Sequence, residues 1–237
     1  MTQVAASARH DAERRFYGVA ALVAALIAFA GFARTYYLKA IFGAPELPDL
    51  VHVHGFVMTL WIVLFFAQVS LVAARRVDLH RRLGVAGAAL AAIVVAVGVL
   101  TAIEGAKRGV SPGPPPLVFL AIPISVALLF GIFVSAALLL RRRSDFHKRL
   151  MLLASLSILT PAIARLPIDT LHAGGILAFF AVTDVLAIAC VAWDTVRHRR
   201  LHPAFGFGTL FLILSQPAQL VLAGSAAWMS IATRLVG

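Results

Sequence analysis

Seven long apolar blocks, separated by short connections of uneven arginine content, constrain this chain more than any other feature. The blocks cover residues 16–33, 53–74, 83–103, 117–140, 150–163, 173–193 and 205–231. A helix needs about 20 apolar residues to cross about 30 Å of hydrocarbon, and unbroken apolar runs are typical of helices rather than barrels. We therefore expect an all-α polytopic membrane helical bundle with seven transmembrane helices, forming a single domain over residues 1–237.

The distribution of basic residues predicts the orientation of this bundle. Fifteen of the 21 Lys and Arg residues lie in the N-terminal segment and in the second, fourth and sixth connections. Because basic connections are retained in the cytoplasm, we expect a cytoplasmic segment 1–15, an external C-terminus and a multi-pass protein of the bacterial inner membrane. The formal charge of +11 lies beside apolar blocks, which favours anionic lipid headgroups over nucleic acid as the partner.

A repeated motif opens the third and fifth blocks. RVDLHRRLG (76–84) and RSDFHKRLM (143–151) share an Asp, a His, a basic pair and a Leu, and a weaker copy, RRLHPAFG (199–206), opens the last block. The second to seventh spans thus resemble three helical hairpins that turn at the cytoplasmic face. This pattern predicts equivalent positions for His80, His147 and His202.

Two interpretations of these turns are open. In the first, Asp78 and Asp145 cap their helices, and the histidines are interfacial residues. In the second, His80 and His147 ligate one haem b from two helices at equal depth, with Arg82 or Arg149 pairing with the haem propionates.

A second group of histidines is expected at the external boundary. His52 and His54 (VHVHG) open the second span, and His172 (LHAGG) opens the sixth. The three side chains could form a copper or zinc site, supply axial ligands for haem, or be hydrated loop residues. A shared site requires the second and sixth spans to be neighbours. Because neutral imidazole must bind, we expect its occupancy to fall as the pH drops through about 6.5.

Polar residues within the apolar blocks are further candidates. Asp184 lies in the sixth block and Gln68 in the second, and intramembrane carboxylates usually mark a functional site or a buried pair. We expect Asp184 to be protonated, bonded to a Gln, or part of a proton path. Pro161 and Pro217 are expected to kink their helices and to free backbone carbonyls that need polar partners.

Over residues 52–165, the HxHG, DLHRRLG and DFHKRLM motifs are similar to those of uncharacterised bacterial membrane proteins. They resemble the domain-of-unknown-function family 2306 and the YozB-like family, which is linked to the maturation of haem–copper oxidases. The resemblance singles out His54, Gly55, His80, Arg81, Gly84, His147, Arg149 and Met151. YozB-like proteins are shorter, so the first and last spans lie outside the resemblance. The paired histidines resemble, more loosely, transmembrane di-haem b-type cytochromes, whose ligands lie deeper.

Three functions are compatible with these patterns. The first is a haem-binding membrane redox protein that passes electrons between an outer pair, His54 and His172, and an inner pair, His80 and His147. The second is a metal- or haem-handling assembly factor that serves respiratory-chain oxidases and receives copper or haem at His52, His54 and His172. The third is a transporter or structural membrane protein without a cofactor, in which Asp184 is the intramembrane polar element.

Overall fold

The computed structural model describes residues 2–237, and it describes side chains from Asp11 onward. Over this range the secondary structure is helical, with no β-strand. The helices are α1 (Thr2–Phe32, extended by a π-helical turn Ala33–Tyr37), α2 (Asp49–Ala73), α3 (Val77–Lys107), α4 (Pro116–Phe119), α5 (Ala121–Leu139), α6 (Ser144–Ser157), α7 (Thr160–Ile163), α8 (Asp169–Ala173), α9 (Gly175–His198), α10 (Pro203–Ala223) and α11 (Ala226–Val236). The predicted all-α class is confirmed.

Six helical segments within the described residues are long and apolar enough to cross a membrane. They are Asp11–Tyr37, Asp49–Ala73, Val77–Lys107, Pro116–Leu139, Gly175–His198 and Pro203–Ala223. Each overlaps one of the predicted apolar blocks, and the fifth block is the one that overlaps none of them. The chain is therefore a multi-pass helical membrane protein.

The fifth block forms a broken helix at the centre of the bundle. Its first part, α6, has 14 residues, which is about 21 Å of helix, and the short α7 follows after Ile158 and Leu159. Pro161 has no N–H to donate to the carbonyl of Ser157, so an α-helical hydrogen bond cannot form across the junction. Helix α6 packs against α1, α5, α9 and α10, and all residues from Leu152 to Ser157 are buried. The predicted span 150–163 is thus discontinuous and surrounded by protein.

The last block is divided between two helices, so the span predicted at 205–231 ends early. Helix α10 stops at Ala223, and Gly224 and Ser225 form a turn. The hydroxyl oxygen of Ser225 accepts a hydrogen bond from Trp228 N at 3.1 Å and thereby caps α11. Helix α11 packs against α3 and α4, where Trp228 Nε1 donates to Leu117 O at 2.8 Å.

The starts of α3, α6 and α10 meet near the beginning of the membrane part of α1. Lys148 on α6 forms an ion pair with Glu13 on α1, and His202 Nε2 before α10 lies 3.1 Å from Asp145 Oδ2 on α6. This end of the bundle holds most of the arginines. We call it the arginine-rich face and define it as residues 11–17, 75–84, 141–151 and 197–204.

Candidate functional site

Two histidines from different copies of the repeated motif face each other at the arginine-rich face. The ring centroids of His80 and His147 are 6.2 Å apart, with an interplanar angle of 82°. Each lies in the first turn of its helix: His80 N donates to Arg76 O, and His147 N donates to Arg143 O, both at 3.0 Å. With metal–nitrogen bonds of about 2.0 Å, imidazoles on opposite sides of one metal have ring centres about 6 Å apart. The observed separation therefore suits a two-imidazole site.

The Nδ1 atom of each ring is held by a group on a neighbouring helix. His147 Nδ1 lies 2.9 Å from Ala137 O on α5, so in the neutral ring it donates to this carbonyl and leaves Nε2 with a free lone pair. With the amide of Gln68 on α2 assigned so that both of its polar atoms have partners, its oxygen accepts from Gly84 N at 3.0 Å and its nitrogen donates to His80 Nδ1 at 2.6 Å. His80 then carries its proton on Nε2, so this nitrogen can ligate a metal only if the proton moves to Nδ1 and the Gln68 amide turns to accept from it.

Arg149 is not free to pair with a haem propionate, so this predicted role is wrong. Its Nη2 lies 2.6 Å from Asp194 Oδ1, and its Nε lies 3.0 Å from Asp194 Oδ2, a bidentate pair with both side chains buried. Its Nη1 donates to Asp145 O at 2.7 Å. A buried pair that lost one partner would leave an uncompensated charge, so Arg149 is structural. Arg82, the other predicted propionate partner, is exposed.

Neither Asp78 nor Asp145 occupies the N-cap position predicted for it. Helices α3 and α6 begin at Val77 and Ser144, which puts each Asp inside the first turn, and neither helix has a side-chain cap. The Asp145 carboxylate instead accepts from His202 Nε2, while His202 Nδ1 accepts from Ala204 N at 3.2 Å and caps α10. Sequence reasoning missed this link between the second and third copies of the motif.

A cluster that the sequence analysis did not anticipate lies beside this site. One ligand atom from each of Glu13, Asp194 and His198 lies within 4.8 Å of the others, as a metal ion would require. However, Lys148 already pairs with Glu13, and Arg149 already pairs with Asp194. Because both carboxylates are neutralised, we interpret the cluster as an ion-pair network. Its sequence signal is the i, i+4 spacing of Asp194 and His198.

The histidines of the opposite face are not brought together. Helix α2, which carries His52 and His54, packs against α1 and α3, whereas α9, which follows His172, packs against α6, α7 and α10. Among the described side chains, the three histidines do not form a group whose ligand atoms lie within 4.8 Å of one another. The predicted three-histidine site is therefore not assembled, because the spans that carry it are not neighbours.

Each of these three histidines has its own local environment. Both His52 and His54 lie on the helical backbone of α2, where side chains two positions apart diverge by about 200°. The ring of His52 contacts Tyr36, with centroids 5.9 Å apart, and His172 is exposed on the short α8. The buried Nδ1 of His54 has no hydrogen-bond partner among the described atoms.

In the membrane interior, Asp184 is bonded to a glutamine, one of the three alternatives expected for it. Gln216 Nε2 on α10 donates to Asp184 Oδ1 on α9 at 2.6 Å. Gln216 also lines a small cavity between α5, α6, α7, α9 and α10. The polar lining residues are Ser125, Ser157, Thr160, Ser215, Gln216 and Gln219.

Comparison with protein-family models, with curated proteins and with solved structures finds no match for this chain. The resemblances to family 2306, to the YozB-like family and to di-haem cytochromes therefore stay predictions. The function has to be inferred from the geometry of the site itself.

Proposed function

We propose that this protein is a metal- or haem-handling protein of the bacterial inner membrane that binds one transition-metal centre between Nε2 of His80 and Nε2 of His147. The observation that carries this proposal is the pair of imidazole rings on two separate helices, with centroids 6.2 Å apart and the rings nearly perpendicular. Imidazole is a common ligand of iron, copper and zinc. Histidine ligands usually donate their second ring N–H to an oxygen, as His147 does to Ala137 O. For His80 to bind in the same way, the Gln68 amide must turn so that its oxygen accepts from Nδ1.

Handling of a metal centre is better supported than electron transfer across the membrane. Transfer between two faces requires a second centre near His54 and His172, and those residues lie on helices that do not pack together. A single site near one face suits the receipt or delivery of a cofactor. Two imidazoles can be axial ligands of haem b, with Arg82 near a propionate, or they can bind a copper or zinc ion that takes further ligands.

For the topology, we propose seven crossings with the arginine-rich face in the cytoplasm. The fifth crossing consists of α6 and α7, and the 20 residues of 144–163 are about as long as a bilayer core is thick. Its break is surrounded by other helices, which is where membrane proteins tolerate irregular backbone. A topology reporter fused after Gly237 should be active only outside the cytoplasm. Cytoplasmic activity would contradict both the orientation and the odd number of crossings.

The proposal is tested by oxidised and reduced absorption spectra of the detergent-purified protein, combined with metal analysis after incubation with haem, copper or zinc. A Soret band identifies haem, and a colourless protein with stoichiometric copper or zinc identifies a bound ion. In either case His147→Ala should abolish binding, and His172→Ala, at an exposed histidine of the opposite face, should leave it unchanged. The proposal would be refuted if the unmodified protein binds none of haem, copper and zinc. It would also be refuted if His147→Ala binds as much as the unmodified protein.

A further inference from the structure

The cavity between α5, α6, α7, α9 and α10 is a polar site inside the membrane part of the bundle, away from the histidine pair. It has a volume of about 20 Å³, enough for one or two species the size of a water molecule. Its polar lining consists of hydroxyl and amide groups, without nitrogen or sulfur ligands of the kind that bind soft metals. Placing such polar groups within a membrane is unfavourable in free energy unless they are paired or bind a ligand.

Two glutamine side chains offer amide oxygens to this cavity. Gln219 is 5% exposed, and its Oε1 has no hydrogen-bond partner among the groups that the structure describes. Gln216 uses its Nε2 to bind Asp184, which leaves its Oε1 as an acceptor. An unpaired buried carbonyl oxygen is destabilising, so a ligand that accepts its lone pairs would be favoured.

One proline frees a backbone oxygen beside this cavity. Pro161 cannot donate to the carbonyl of Ser157, because proline has no N–H. Ser157 itself lines the cavity, at the end of the broken helix. In membrane transporters, the carbonyls that are freed where a helix is interrupted coordinate small cations.

We propose that this cavity binds a sodium-sized monovalent cation. The ligands are oxygens, as hard cations prefer, and the available volume limits the site to a single small ion. Asp184, one hydrogen bond away through Gln216, carries a single negative charge when it is ionised, which would match one positive charge rather than two. The site is distinct from the His80–His147 pair, which offers nitrogen ligands at the arginine-rich face.

The test is equilibrium binding of radioactive Na⁺ to the full chain in detergent, with choline replacing Na⁺ at constant ionic strength. We expect saturable binding by the unmodified protein, and at least about tenfold weaker binding after Gln219→Leu, which removes one ligand oxygen. Thr209→Val is the matched control: it removes a buried, unpartnered hydroxyl from the same helix outside the cavity lining, and it should leave Na⁺ binding unchanged.

Size-exclusion chromatography establishes whether Gln219→Leu is folded. If that variant does not fold, Ser157→Ala is the replacement. It removes a hydroxyl oxygen from the cavity wall, keeps the backbone carbonyl, and should also weaken Na⁺ binding severalfold. Absence of saturable binding by the unmodified protein would mean that the cavity holds only water and would overturn the proposal. Full binding by the cavity variants, or an equal loss in Thr209→Val, would overturn it as well.

Discussion

At the arginine-rich face, His80 and His147 stand on α3 and α6, and both of these helices pack against α5. At the opposite face, His54 lies on α2, which packs against α1 and α3, whereas His172 precedes α9, which packs against α6, α7 and α10. Both pairs were expected at matching depths from similar sequence signals. The difference shows that equal depth does not make a site: the helices that carry the ligands must also share a neighbour.

The two faces also differ in the ion pairs that stabilise them. At the arginine-rich face, Arg149 forms a buried ion pair with Asp194 of α9. The opposite face consists largely of short helices and of the connection that contains Lys39 and Glu46. Lys39 Nζ lies 2.5 Å from Glu46 Oε2 and lowers the pKa of that carboxyl, but Glu46 is exposed, so the pair adds little stability.

The largest expected effect tests this difference in construction. Arg149→Leu should destabilise the protein by about 3–5 kcal/mol, because it leaves the Asp194 charge buried without a partner. The double change to Leu at both positions should recover much of that loss, and Arg142→Leu, at an exposed position, should cost less than about 0.5 kcal/mol. Reversible unfolding in mixed micelles measures these values. Equal effects of Arg149→Leu and Arg142→Leu would contradict the structural role of Arg149.

The next effect concerns the close contact between α1 and α7. A Cβ at Gly31 of α1 would lie 2.1 Å from Ala162 O of α7, so Gly31→Ala should cost about 1–3 kcal/mol by forcing the two helices apart. Gly18→Ala, where no described atom lies within 4 Å of an added Cβ, is the control and should stabilise α1 by up to about 1 kcal/mol. The same unfolding assay applies. A neutral Gly31→Ala would show that α1 and α7 are not tightly packed.

The smallest effect sharpens the account of the histidine pair. Gln68→Leu removes the group that orients His80 and should weaken metal or haem affinity about tenfold while leaving the fold intact. Gln216→Leu is the matched control, because Gln216 lies at the intramembrane cavity and should not alter that affinity. Titration of the purified variants measures both constants. An unchanged affinity in Gln68→Leu would remove Gln68 from the site.

The sequence predicted well whatever depends on local pattern. Apolar runs gave the membrane helices, and the repeated motifs indicated that His80 and His147 lie at the same end of the bundle. Pro161 correctly indicated an interruption of the helix in the fifth block. The burial of α6 at the centre of the bundle could not be predicted from this proline.

Features that depend on which helices pack against each other could not be predicted from the sequence. Asp194 is 45 positions from Arg149 in the sequence, so no local sequence pattern could predict that the two side chains pair. For the same reason, the histidines of α2 and α8 looked like one site, since sequence position predicts depth in the membrane but not adjacency between helices.

The most direct measurement compares the bound metal or haem of two multiple variants with that of the unmodified protein. The double variant His80→Ala/His147→Ala removes the facing pair, and the triple variant His52→Ala/His54→Ala/His172→Ala removes the histidines of the opposite face. Our account predicts that the double variant binds none and that the triple variant retains full stoichiometry. A double variant that keeps its metal centre, or a triple variant that loses it, would contradict the account.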